Sequence, residues 1–287
     1  MQATFKAGTA HIKPSFLFSL QAFTDPMNAI KTVFRYLSYY FRSNTLHGTH
    51  SPFVYKLLED VVYDRAPYPE YEGPEEERNR LLHDQRMIRI TDYGAGAEVN
   101  HDKERKVASI AARSLKSKKY ARLLFRLVRH FKPRHMIELG TSLGITSSYL
   151  AKAHPQVTLV TMEGCPNTLA VATESFARQG LENIRTITGN FDHTFPELID
   201  KMETADFIFF DGNHRKEATL NYFYKALPKV NERTLFVFDD IYWSDGMAEA
   251  WQEIKANAHV RVTIDLFFIG LVFFKKDQAK EDFVIRY

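Results

Sequence analysis

Glu163, Asp211 and the pair Asp239-Asp240 each stand directly after an apolar run, respectively Val157-Thr-Leu-Val-Thr-Met, Ala205-Asp-Phe-Ile-Phe-Phe and Thr234-Leu-Phe-Val-Phe. A carboxylate at the carboxyl end of a buried parallel strand faces the crevice in which open α/β sheets bind ligands. One such acid alone is equally explained as the cap of a following helix. Acids at the ends of three strands converge on one rim, which caps alone do not require. Hard oxygen ligands gathered there suit Mg2+, or Mn2+ or Ca2+, with Asp211, Asp239 and Asp240 as the ligand set. His214 lies three positions beyond Asp211. Histidine titrates in the range that allows proton removal near neutral pH, so His214 is the candidate base, against the plainer reading of a surface or capping histidine.

Upstream of these acids, Met136-Ile-Glu-Leu runs into Gly140-Thr-Ser-Leu-Gly144 and on into Ile145-Thr-Ser-Ser-Tyr-Leu, which reads as strand, tight turn and helix. Glycine tolerates positive φ and has no Cβ to hold a ligand off, so such a turn can cradle a nucleotide-type cofactor. Two glycines after a strand also occur where nothing binds. Glu163 adds a linked feature, because an acid about 20 residues past the glycine turn holds ribose hydroxyls in dinucleotide-type folds. The three-glycine spacing of the dinucleotide fingerprint is absent, which argues against NAD.

The run Ile137-Glu-Leu-Gly-Thr-Ser-Leu-Gly resembles the first motif of class I S-adenosylmethionine-dependent methyltransferases, in particular the catechol and caffeoyl-CoA type O-methyltransferases, where Glu-Ile-Gly-Thr is usual. The resemblance covers roughly Lys103 to Phe274. It implies S-adenosylmethionine as cofactor, with Glu138, Gly140, Thr141, Ser142 and Gly144 at its methionine part and Glu163 on the ribose. Asn190, Phe191 and Asp192 would border the adenine, and Asp211 would line the same pocket. Metal-dependent relatives carry an aspartate after the fourth strand and Asp-Asn or Asp-Asp after the fifth. Asp211 and Phe238-Asp-Asp-Ile-Tyr-Trp match, and the Asp-Asp form is similar to small-molecule sugar O-methyltransferases. The catechol type has lysine where this chain has His214, with Arg215 beside it. The implied reaction is methylation of a small-molecule hydroxyl assisted by a divalent cation, in a protein for which a homodimer is compatible.

The elements that must position these residues alternate regularly. Tyr120 to Phe131 has Leu123, Leu124, Leu127, Val128 and Phe131 on one helix face and Arg122, Arg126 and Arg129 on the other, and Pro133 stops it. Pro166 suits a first helical turn, Leu169, Ala172 and Phe176 form a buried stripe, and Gly180 sits where a C-terminal cap belongs. A short strand at Ile184–Thr188 precedes a helix near Pro196 to Met202. Helices striped by Leu220, Phe223 and Leu227, and by Met247, Trp251 and Ile254, follow the strands that end in Asp211 and Asp239. Val260 to Leu266 alternates and pairs antiparallel with Leu271-Val-Phe-Phe at the sheet edge. The pattern predicts an α/β fold with a doubly wound, mostly parallel sheet, Rossmann-like, with an antiparallel C-terminal hairpin and an N-terminal helical extension.

The 287 residues, 45% of them hydrophobic, suffice for a sizeable core, and a formal charge of +3 is too mild to imply nucleic acid. One cysteine, Cys165, excludes an intrachain disulfide framework and suits a reducing cytoplasm. No apolar run is long enough to span a membrane. Residues 1–26 are expected to form a disordered extension, with Met27 as a candidate natural start, residues 27–102 a helical cap, and residues 103–287 the cofactor-binding domain. Ile30, Phe34, Leu37 and Phe41 stripe one helix face that is expected to pack on the domain, although flanking Lys31, Arg35 and Arg42 also fit a membrane surface. Ala66 to Glu77 reads as a solvated linker. Thr91-Asp-Tyr-Gly-Ala-Gly-Ala is a second glycine turn, but its continuation from Glu98 to Lys106 is too polar for a buried helix, so a loop over the cofactor site is expected. Two alternatives stay open: a methyltransferase without metal, and a non-catalytic module whose basic Lys103 to Arg134 face contacts RNA.

Overall fold

Strands that are apolar at every position are buried on both faces, and helices must then cover both sides of the sheet. The central strands come close to this: β3 (Met136–Leu139), β6 (Phe207–Phe210) and β7 (Leu235–Asp239) are buried throughout, with Glu138 and Asp239 their only polar residues. A computed structural model describes residues 26–91 and 103–287. The expected extension, apart from Pro26, and the second glycine turn at Gly94 and Gly96 lie outside these residues. The main sheet has eight strands in the order β10-β8-β9-β7-β6-β3-β4-β5, with β4 at Leu159–Glu163, β5 at Ile184–Thr188, β8 at Val262–Asp265, β9 at Ile269–Phe273 and β10 at Glu281–Val284. Strands β3 to β7 run parallel, and β9 is antiparallel to β7 and to β8. From β3 the chain first winds outward through β4 and β5, then returns to β6 and β7 on the other side, so the switch point lies between β3 and β6. The doubly wound, mostly parallel fold predicted from the sequence is the fold observed.

The covering helices begin with α1 (Pro26–Arg42), α2 (Pro52–Leu57), which continues in a π turn to Val62, and α3 (Glu72–His83). After a hairpin of β1 (Met87–Ile90) and β2 (Lys103–Lys106) come α4 (Val107–Ser114) and α5 (Lys118–Phe131). Between the strands of the main sheet lie α6 (Ile145–Ala153), α7 (Pro166–Arg178), α8 (Phe191–Asp200), α9 (Lys216–Ala226) and α10 (Asp245–Ala256). Pro166 stands in the first turn of α7, and Gly180, just past that helix, has φ +63°.

Several expectations change. The predicted buried stripe of α1 faces outward: Ile30, Phe34 and Phe41 are 58%, 68% and 77% exposed. The docked face carries Tyr36 and Tyr39, whose rings pack on Phe267, while the Tyr39 hydroxyl donates to the Ile285 carbonyl. Both faces of this helix hold large apolar side chains, so periodicity alone cannot choose between them. The predicted linker is structured. Tyr71, Pro74, Glu77, Arg78 and Leu81 are buried in or beside α3, where Arg178 and Ser175 donate to the Glu77 carboxylate. Helix α8 begins at Phe191, earlier than predicted, because the Asn190 side chain accepts from the Asp192 amide and caps it. Strand β8 is buried at every position and is no edge. Strand β10 lies parallel beside it, and the Thr263 hydroxyl donates to Asp282 across the pair. On α5 the arginines do not form a solvated face. Arg126 is buried and donates to the carbonyls of Val61 and Val62, Arg122 lies over the Tyr71 ring, and Arg129 reaches Glu70.

Candidate functional site

The turn after β3 is held against its neighbours by main-chain bonds: the amides of Gly140 and Thr141 both donate to the Met162 carbonyl, and the Asp211 amide donates to the Leu139 carbonyl. Gly140 has φ +101°, and a Cβ there would stand 2.0 Å from the carbonyl oxygen of Asp211. The sequence reading reserved this glycine for a ligand; the structure shows that the neighbouring strand end already fills the space. Gly144, with φ +82°, is constrained likewise, by the Phe176 ring and Ala172 of α7. Ser142 also takes positive φ, +48°, and its amide donates to Glu163 Oε2 at 2.8 Å, while the Cys165 amide donates to Oε1 at 2.9 Å. Glu163 thereby joins the glycine turn to the end of β4. It lines a cavity of about 210 Å3 together with Ser142, Cys165, Thr168, Ile110 and the hairpin residues Ile90, Thr91 and Arg105.

Glu138 lies behind the turn, without solvent contact. Its Oε2 accepts from the hydroxyls of Ser147 and Thr161, and Thr141 meets Thr161 at 2.6 Å, so these two predicted cofactor residues brace the turn from below. Oε1 of Glu138 has no hydrogen-bond partner among the described residues. Burial pushes the Glu138 carboxyl up to about 7, against the two hydroxyl donors. On the far side of the crevice the half-buried Phe191 ring lies so close to Gly212 that a Cβ there would stand 2.4 Å from it. Asn190 serves as the helix cap, and the Asp192 carboxylate accepts from the Tyr222 hydroxyl at 2.6 Å. The positive-φ turn and the acid Glu163 on the cavity beside it fit the ribose end of S-adenosylmethionine.

The acids at the ends of β6 and β7 also converge. Asp211, His214 and Asp239 each offer one ligand atom, all within 4.8 Å of one another. His214 stands in this group where Asp240 was predicted. Asp240 adopts φ +49°, with its amide donating to the Phe268 carbonyl at 2.7 Å. His214 Nε2 is 3.7 Å from Asp211 Oδ1. Burial and then the Asp239 charge push the Asp211 carboxyl well above the carboxylate range, and the same two causes raise Asp240.

The sequence reading missed Lys116, which sits between α4 and α5. Its ammonium donates to Asp239 Oδ2 and lies 3.6 Å from Asp211 Oδ2. Burial opposes this charge, but the carboxylates of Asp211, Asp239 and Asp240 outweigh burial and hold the ammonium above the usual lysine range. Lys116 was legible only as one member of a basic run; no spacing in the sequence ties it to aspartates on β6 and β7. The donor set therefore does not fit a divalent cation as it stands, because an ammonium of the protein already holds the oxygens such an ion would use. Tyr242, two positions past Asp240, packs on Phe267 and donates to Asp265.

Comparison with known proteins agrees with this geometry. Residues 137–241 match the family model described as a methyltransferase domain. The chain is 29% identical over 134 residues to O-methyltransferase imqG of Aspergillus flavus, covering 45% of this chain and 53% of that protein. It is 31% identical over 126 residues to a catechol O-methyltransferase of Niastella koreensis, covering 43% and 55%. The chain thus matches about half the length of these curated relatives. Among solved structures, the SAH-bound methyltransferase PaMTH1 of Podospora anserina aligns over 80% of this chain and 100% of its own, with TM-score 0.55 at 14% identity. An O-methyltransferase of Bacillus cereus in complex with SAH aligns over 77% and 97%, with TM-score 0.53 at 20% identity. At these identities the two likenesses speak for the fold. Residues 137–241 thus match a methyltransferase domain, and the fold around them is that of the two SAH-bound structures.

Proposed function

We propose that this chain transfers a methyl group from S-adenosylmethionine to a hydroxyl oxygen of a small molecule. One juxtaposition carries the reading: the cofactor turn at Gly140 packs directly on Asp211, the first member of the acid and histidine group. S-adenosylmethionine supplies an electrophilic methyl on a sulfonium. Glu163 accepts from the ribose hydroxyls, Phe191 walls the adenine, and the turn from Gly140 to Gly144 holds the methionine part. His214, half-buried beside Asp211, takes the acceptor's hydroxyl proton. With S-adenosylmethionine bound there, its methyl would pass to the oxygen that His214 has deprotonated, the S–C bond breaking as the O–C bond forms and the sulfur becoming a neutral thioether. Positioning two reactants on one rim accounts for much of the acceleration. The relatives named as O-methyltransferases support oxygen as the accepting atom. A single cysteine supports a reducing compartment such as the cytoplasm.

The cation-assisted reaction expected from the sequence and the RNA-binding alternative both lose support, and the alternative of a methyltransferase without metal gains it. Assistance by a divalent cation on Asp211, Asp239 and Asp240 loses support, because Lys116 is bonded to Asp239. An RNA-binding face loses support as well, because Arg122, Arg126 and Arg129 are engaged by the chain's own rings, carbonyls and acids. Calorimetric titration of the full chain with S-adenosylmethionine, S-adenosylhomocysteine and NAD tests the proposal. The first two bind and NAD does not; binding of NAD alone would overturn it.

A further inference from the structure

The segment Ser114–Lys116, between α4 and α5, is fixed at both ends. Ser114 Oγ lies 3.1 Å from Ser142 Oγ on the glycine turn, and the buried Arg78 of α3 donates Nη2 to the Lys116 carbonyl at 2.7 Å. The lysine side chain, 13% exposed, then reaches inward to Asp239, itself 1% exposed, and to Asp211. Its ammonium donates to one of the carboxylates that the ligand group Asp211, His214 and Asp239 would offer and lies beside another. A divalent ion in that place would face a tethered ammonium at close range. It would also strip that ammonium of its counter-charges, leaving a buried unpaired cation, which is strongly unfavourable. Asp239 Oδ1, meanwhile, is buried with no hydrogen-bond partner among the described residues, so the pair of acids keeps acceptor capacity for a substrate hydroxyl.

We propose that Lys116 is the resident cation of this site and takes the place of a divalent metal: the ammonium supplies the positive charge beside the acceptor oxygen as His214 removes its proton. The inference rests on the methyl-transfer reading for its catalytic part only; the exclusion of metal by Lys116 stands on geometry alone. The N-terminal helices then belong to the active centre, since Arg78 fixes the backbone from which the lysine reaches.

Binding of Mn2+ to the full chain, followed by the electron paramagnetic resonance of the free ion, reads the exclusion without any turnover. Lys116→Met is expected to bind Mn2+ at least about tenfold more tightly than the wild type, because the carboxylates of Asp239 and Asp211 are released and the opposing charge is gone, while Lys116→Arg keeps the charge and matches the wild type. Equal Mn2+ affinity in wild type and Lys116→Met would overturn the proposal. Should Lys116→Met fail to melt cooperatively, the wild type decides: its melting temperature with S-adenosylmethionine is expected to be the same in millimolar Mn2+ and in chelator, and a rise with Mn2+ overturns the proposal. Loss of S-adenosylmethionine binding in the parallel calorimetry would instead count against the methyl-transfer reading, and the Mn2+ result would still judge Lys116.

Discussion

Glu163 is the residue on which the cofactor reading is most directly testable, because two backbone amides fix its carboxylate at the edge of the cavity. Glu163→Ala is expected to weaken S-adenosylmethionine binding by about 1 kcal/mol or more, through loss of a charge-assisted hydrogen bond; unchanged affinity by calorimetry would remove it from the site. His214→Ala should leave that affinity intact and lower turnover roughly 10²-fold if the imidazole is the base, read from initial rates with any accepted hydroxyl substrate. Glu138 makes a prediction about stability. Its folded-state value of about 7 lies above the ordinary 4.5, so between these pH values the native chain keeps a proton that the unfolded chain releases. Stability contributed at this position is therefore greatest below about pH 4.5 and falls as pH rises to about 7. In urea titrations Glu138→Gln should gain on the wild type across that window, by about 3 kcal/mol at most; a constant difference would show that Glu138 does not titrate there.

At the scale of elements, the strands and the glycine turn were legible because the runs Phe207–Phe210 and Leu235–Phe238 are apolar at every position and are followed directly by Asp211 and Asp239. What the sequence hid were choices made by packing. Helix α1 has apolar side chains on two faces, and only the contact with Phe267 and the Ile285 carbonyl shows which is inside. Strand β8 alternates like an edge strand, yet its polar positions are buried under β10. Lys116 escaped notice because its partners lie 123 and 95 positions away, with nothing local to mark them. The orientation of α1 is checked by two substitutions followed by denaturant unfolding. Phe34→Ala should change stability by no more than about 0.5 kcal/mol, whereas Phe267→Ala, 2% exposed, should cost about 3–5 kcal/mol. The opposite ranking would mean that the helix docks by its other face.

Among the described residues the larger of two main apolar clusters packs Val54, Leu58, Val61, Tyr71 and Leu81 of the N-terminal region with Leu124, Leu127, Phe209 and Val237. The helical region before residue 103 is thus not a detachable cap. Unfolding in urea should show a single transition with coincident midpoints by circular dichroism and tryptophan fluorescence; two separated midpoints would show an independent N-terminal unit. The bond from Tyr39 to the Ile285 carbonyl spans 246 positions, and Tyr287 donates its amide back to the same hydroxyl at 3.1 Å. During synthesis the first described helix therefore emerges from the ribosome without its docking partner, which at ordinary elongation rates follows roughly ten to fifty seconds later. For that interval the tyrosine face of α1 is exposed to solvent and open to a nascent-chain chaperone.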